Sequence, residues 1–158
     1  LGCPFGSILV GSQSEIDIAR RGRKILGGSL RQAGIGAAAA IYALDHHIDQ
    51  LAEDHRNARL MAEQISEIQG LKIDIDAVES NLVFFDVEES AGTAEQLVMA
   101  LLSRGVKVLA LGNQRIRACT HLDISEQEIR EAARAVKAAM SAGLANVEIQ
   151  ESHPYAYR

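Results

Sequence analysis

Apolar and polar positions change rhythm along this chain at about Gly70. Before it, apolar residues recur at helical spacing or fill whole stretches. Ile8-Leu-Val-Gly11 is a short apolar run read as a strand, and Ser14 to about Leu26 reads as a helix whose Arg20, Arg21, Arg23 and Lys24 form a basic face. Gly27-Gly28-Ser29 breaks it. The next helix starts at Leu30 and runs to Leu44, apolar on every side, which predicts burial all round. Gly34 and Gly36 cost it helix propensity, and their use would be close approach of another helix or of a partner subunit. An amphipathic helix follows to Gln69, with Ile48, Leu51, Ala52, Ala58, Ala62 and Ile65 as its buried stripe, His55 sharing that stripe, and Gly70 as its stop.

After Gly70 the period shortens to two. Leu71–Ile75 alternates as a half-buried strand, and Leu82–Val87 reads as a more fully buried one, joined by a turn carrying Ser80-Asn81. Thr93-Ala-Glu-Gln96 caps a helix that runs through Arg104 and stops at Gly105. Val106–Leu111 is apolar and extended. Gly112-Asn113 makes a turn, and in the strand that follows Arg115, Arg117 and Cys119 share one face while Ile116 and Ala118 share the other. Ser125-Glu-Gln-Glu128 has the form of a capping box. It opens a helix from Glu126 to about Ala142 that buries Ile129, Ala133, Val136 and Met140 and ends at Gly143. Strand, strand, helix, strand, strand, helix predicts an α+β lobe with its helices on one side of a small sheet.

Composition narrows the classes. At 158 residues and 17.0 kDa the chain suffices for one core or two small lobes. A net charge of -5 argues against a nucleic-acid partner. The apolar run Ala33–Leu44 is too short to span a bilayer and no signal peptide opens the chain, so a cytoplasmic, membrane-free setting is expected. Cys3 and Cys119 form neither a disulfide framework nor a zinc motif. His46, Asp49 and Glu53 fall mostly outside the buried stripe and read as solvated helix surface, with no metal expected.

The candidate chemistry lies in Arg115-Ile-Arg117-Ala-Cys-Thr-His121-Leu-Asp-Ile-Ser125. Arginines on a strand that packs a small sheet either face water or meet an anion, and a guanidinium suits a carboxylate through two parallel hydrogen bonds. The residues alone leave both readings open. This segment resembles the C-terminal part of the threonine aldolases, which often read Val-Arg-x-Val-Thr-His-x-Asp-Val-Ser. The likeness continues in Gly27-Gly-Ser-Leu-Arg-Gln-Ala-Gly34, Tyr42-Ala-Leu44 and Ala52-Glu-Asp-His-Arg-Asn57, and so covers Leu1 to about Ala142.

The resemblance implies a fold: the C-terminal part of an α/β enzyme of pyridoxal-phosphate (PLP) fold type I. Residues 1–47 would be a remnant of the large PLP-binding domain with connecting helices, 48–144 the small α+β domain, and 145–158 an irregular tail. It implies a chemistry too: threonine or allo-threonine cleaved to glycine and an aldehyde, with PLP as electron sink. Arg117 would grip the substrate's α-carboxylate. Arg31 would reach the phosphate of a cofactor held by the other subunit of a homodimer or homotetramer, and Lys24 would lie near the active site. Arg115 and His121 would serve structure, His121 by orienting the helix start. The family pattern Ser-Lys-Gly-Leu-x-x-Pro-x-Gly-Ser places the Schiff-base lysine two residues before Leu1, so no catalytic residue is expected within the chain, and the chain alone should be inactive. Alternatives of other kinds are a β-eliminating lyase of the same fold and a non-catalytic lobe that serves oligomerisation.

Overall fold

Leu82–Val87 and Arg115–Cys119 form the central pair of a four-stranded sheet in the computed structural model, which describes residues 1–3 and 7–148. In chain order the elements are α1 (Gln13–Ile25), α2 (Ala33–His46), α3 (Leu51–Ser66), β1 (Leu71–Lys72), β2 (Leu82–Val87), α4 (Ala94–Leu102), β3 (Leu109–Ala110), β4 (Arg115–Cys119) and α5 (Glu126–Ala142). The chain divides into two compact units, Leu1–Asp49 and Gln50 onward.

The second unit carries the sheet, in the order β1-β2-β4-β3 with every neighbouring pair antiparallel. Alternation decides its faces. Val83, Phe85, Val87, Ile116 and Ala118 point into the core, where they cluster with Ala58, Met61, Ala62 and Ile65 of α3, Leu97, Val98 and Leu101 of α4, and Ile129 and Val136 of α5. This is the predicted lobe with its helices on one side. β2 is less buried than its apolar sequence predicts: Leu82, Phe84 and Asp86 lie on the opposite, half-buried face. Both edge strands are shorter than predicted, because at an edge pairing on one side alone has to hold the extended form, and here it does so for two residues each.

Two helix starts are set by reciprocal caps. Thr93 Oγ1 accepts from the Gln96 amide at 3.2 Å, and Gln96 Oε1 accepts from the Thr93 amide at 2.9 Å. Ser125 and Glu128 do the same for α5. Just before the Thr93 cap the chain needs a residue without a side chain. Gly92 has φ 139°, and a Cβ there would lie 2.8 Å from Gln96 Oε1 and 2.9 Å from Leu144 Cβ. α5 buries Ile129, Ala133, Val136 and Ala139, while Met140 is half-buried.

α3 departs from the sequence reading in phase. It begins at Leu51, and its buried side chains are Asp54, Asn57, Ala58, Met61, Ala62 and Ile65; His55 is exposed. One helical position is a rotation of about 100°, and counting apolar residues alone placed His55 where the polar Asp54 is buried. The helix ends at Ser66, and Gly70 (φ 87°) serves the turn into β1 instead of the helix stop.

In the first unit α1 starts at a Ser12–Glu15 cap that the sequence reading missed: the Ser12 amide donates to Glu15 Oε2 at 2.8 Å. The predicted strand at Ile8–Gly11 is irregular, since no strand among the described residues pairs with it. α2 is not buried all round: within its unit only Gly36 and Ala43 are buried, and Ile35, Ile41, Tyr42 and Leu44 are exposed. Apolarity on every side tells what a helix can bury, and the packing partner decides what it does bury. Of the expected tail, residues 149–158 lie outside the described residues, while Val147 packs against the core of the second unit.

Candidate functional site

The outer face of the sheet bears two rows of side chains across the strands. Lys72, Asp86 and Arg115 are in register in one row, and Phe84, Arg117 and Leu109 in the next. The two arginines, chemically alike and two residues apart, have different surroundings. Arg115 Nη1 lies 3.8 Å from Asp86 Oδ2, and its guanidinium carbon sits 5.6 Å from the centre of the Phe84 ring, within cation–π range. Arg117 is exposed and, among the described residues, has no hydrogen-bond or ion-pair partner. Arg115 is therefore occupied by charge and ring within the chain, and Arg117 holds its donors out for an external acceptor. Beside them a cleft of about 340 Å³ is lined by Leu82, Phe84, Asp86, Lys72, Asp74 and Arg115.

β4 presents Arg117 because Gly112 (φ 152°) turns the chain into the strand and because Ile116 and Ala118 anchor its opposite face. Beyond the strand, Thr120 is buried, and His121 and Asp123 are exposed. The Asp123 amide donates to His121 Nδ1 at 3.4 Å, within the turn that leads to Ser125. Sequence reasoning passed over Phe84 and Asp86. The alternation of Phe84-Phe85-Asp86 is the signal that would have put both on the outer face opposite the arginines.

Glu128 shows how the helix start behind this turn is charged. The Ser125 hydroxyl, and after it the Ser125 amide, hold the Glu128 carboxylate below the usual range. A lowered carboxylate pKa favours folding above the unfolded glutamate value, and this contribution is lost as pH falls through the lowered folded value. Ser125→Ala, which removes this cap, should destabilise the second unit near neutral pH. Chemical denaturation at pH 7 and pH 3 checks this: the gap between wild type and variant should narrow at pH 3, and a gap independent of pH would contradict the cap's charge.

Lys24 and Arg31 belong to the first unit. Lys24 is exposed in the last turn of α1. Arg31 is exposed in the turn before α2 and has no ion-pair partner among the described residues, where a local salt bridge would have been the plain structural role. His46 is engaged locally too, its ring stacked on Tyr42 at 4.1 Å and its Nδ1 2.8 Å from the Tyr42 carbonyl. Among the described residues no three His, Cys, Asp or Glu side chains converge as a metal site.

A sheet backed by helices, with a guanidinium on its outer face that is unpaired among the described residues, defines a lobe suited to hold an anion such as a carboxylate. The chain belongs to the beta-eliminating lyase family, whose model matches residues 1–89. It is 39% identical over 130 residues to low-specificity L-threonine aldolase 1 of Arabidopsis thaliana, covering 82% of this chain and 36% of that protein. It is 41% identical over 134 residues to the low specificity L-threonine aldolase of Escherichia coli K12, covering 84% of this chain and 38% of the relative. The chain thus spans little more than a third of these relatives. Among solved structures it resembles Plasmodium falciparum ornithine delta-aminotransferase with a TM-score of 0.56 at 14% identity, over 70% of this chain and 30% of that one, a likeness of fold.

The family implies pyridoxal 5'-phosphate, and the described residues match that group only in part. A Schiff-base lysine is activated by desolvation or by a neighbouring cation. Lys24, Lys72, Lys107 and Lys137 are all exposed, and Lys72 is paired with Glu88 at 3.1 Å. None of the four fits a covalent anchor. Arg31 and Arg117 fit anionic groups such as a phosphate or a carboxylate.

Proposed function

We propose that this chain is the carboxylate-gripping lobe of a PLP-dependent aldolase that cleaves threonine, allo-threonine and related β-hydroxy-α-amino acids to glycine and an aldehyde. The observation that carries this is Arg117 without a partner beside Arg115 with two. A bidentate guanidinium–carboxylate contact fixes two points of a small substrate and so restricts rotation about Cα. Cleavage of the Cα–Cβ bond depends on that rotation, so an arginine that performs no bond chemistry still controls the reaction. With no covalent anchor among the described residues, Arg117 binds and orients.

In this reading Arg31 contributes to a phosphate site shared between subunits of a cytoplasmic homodimer or homotetramer, and Lys24 neighbours the active site. The exposed apolar side chains of α2 support association, since contiguous apolar surface favours burial against a partner. Arg31→Ala should then weaken retention of PLP by the whole protein. Equilibrium dialysis measures it, and unchanged retention removes Arg31 from the site.

The name of the matching family favours one further reading, β-elimination, which would use the same carboxylate clamp. Product analysis separates the two. The whole protein incubated with PLP and threonine should release glycine and acetaldehyde in equal amounts. Ammonia with a 2-oxo acid and no glycine would replace the aldolase reading with the eliminating one.

A further inference from the structure

We propose that Thr120 and Asn57 are positioning residues for Arg117, locking the end of β4 onto α3 so that the guanidinium is held at one place on the sheet; this rests on Arg117 being the carboxylate clamp. β3 pairs with β4 only at Leu109↔Arg117 and Ala110↔Ile116. Past Arg117 the strand has a ladder on its β2 side alone, and on the other side a cleft of about 570 Å³ opens against Ala118 and Cys119. The clamp thus sits where its strand loses one of two neighbours. A strand paired on one side frays more readily than one paired on both.

Buried polar side chains take over at this point. Thr120 is 1% exposed and Asn57 3%. Thr120 Oγ1 donates to the Asp54 carbonyl at 2.7 Å, and Asn57 Nδ2 donates to the Ile124 carbonyl at 3.0 Å. Asn81 Nδ2 donates to the Thr120 carbonyl at 2.7 Å, and the Thr120 amide donates to the Asn81 carbonyl at 2.9 Å. Thr120 and Asn57 join α3 to the β4–α5 connection across 66 and 67 residues of sequence. Polar groups in a core are tolerated where such bonds are made, and an apolar residue of the same shape would fill either place with less desolvation. What these two side chains add over an apolar residue is a directional tie.

The test uses the whole protein loaded with PLP and compares Thr120→Val, of nearly equal volume, with Thr120→Ser, which restores the hydroxyl. Thr120→Val should raise KM for threonine roughly tenfold, the scale of one buried hydrogen bond, with kcat reduced less and the cofactor's absorbance unchanged. Amide exchange across residues 115–121 should quicken in parallel, and Thr120→Ser should recover most of both. Asn57→Leu, which removes the second tie at similar volume, should act in the same direction and stands in if Thr120→Val does not fold. Val98→Ala, a core change in α4, supplies the structural control: it should lower the unfolding midpoint and leave KM unchanged. An unchanged KM in Thr120→Val, or an equal rise in Val98→Ala, overturns the proposal while Arg117→Ala still raises KM. If Arg117→Ala itself leaves KM and kcat unchanged, the clamp reading fails, and this proposal fails with it.

Discussion

Arg117→Ala should lower kcat/KM for threonine by roughly 30- to 1000-fold, the equivalent of about 2–4 kcal/mol for a desolvated charged contact whose partner is lost. Arg117 has no partner in its own chain among the described residues, so its removal breaks no internal bond and should leave stability within about 0.5 kcal/mol. Arg117→Lys should recover only part of the loss, because an ammonium cannot match both carboxylate oxygens at once. PLP retention should persist. Arg115→Ala is the internal control: its pair with Asp86 lies at the surface, where such pairs contribute little, and its loss should change kcat/KM by less than about threefold. Steady-state kinetics on the whole protein decides the matter. Near-normal kcat/KM in Arg117→Ala, or complete loss of PLP, would place the clamp elsewhere.

Phe85→Ala should remove about 3–5 kcal/mol of stability, because Phe85 is 1% exposed and lies in the core cluster that also takes in residues of α3, α4 and α5. Phe84, its neighbour in sequence, points to the opposite face and should behave differently. Phe84→Ala should cost less stability and should free Arg115 from its aromatic contact. Since small domains are stable by only about 5–15 kcal/mol, the Phe85 loss would leave the second unit marginal. Urea unfolding followed by circular dichroism measures it, and a loss under about 1 kcal/mol would mean that the sheet's inner face is not packed as described.

The presence of both central strands was legible, and for β4 so were its faces, because its polar and apolar residues alternate. In β4, Ile116 and Ala118 against Arg115 and Arg117 can be assigned to faces by counting in twos, and the caps at Thr93 and Ser125 by reading three residues ahead, whereas the apolar run of β2 hid the alternation of Phe84 and Phe85. The lengths of β1 and β3 were not legible, since a strand's extent depends on a partner distant in sequence. Asp54 and Asn57 were missed for a related reason. Their burial is set by the fit of α3 against the β4–α5 turn, and apolar spacing says nothing of buried polar residues. The residues alone offered Arg117 as one of two equivalent arginines and the family resemblance chose it; the structure adds that Asp86 and Phe84 engage the other. For α2, composition shows the capacity for burial, while its exposed Ile35, Ile41 and Tyr42 show that within its own unit this capacity is unused.

The most direct measurement is a crystal structure of the whole protein with PLP and glycine bound. Both carboxylate oxygens of glycine should lie within about 3 Å of Arg117 nitrogens, while Arg115 stays with Asp86 and Phe84. A glycine carboxylate held by other residues, with Arg117 left in solvent, would contradict the central claim.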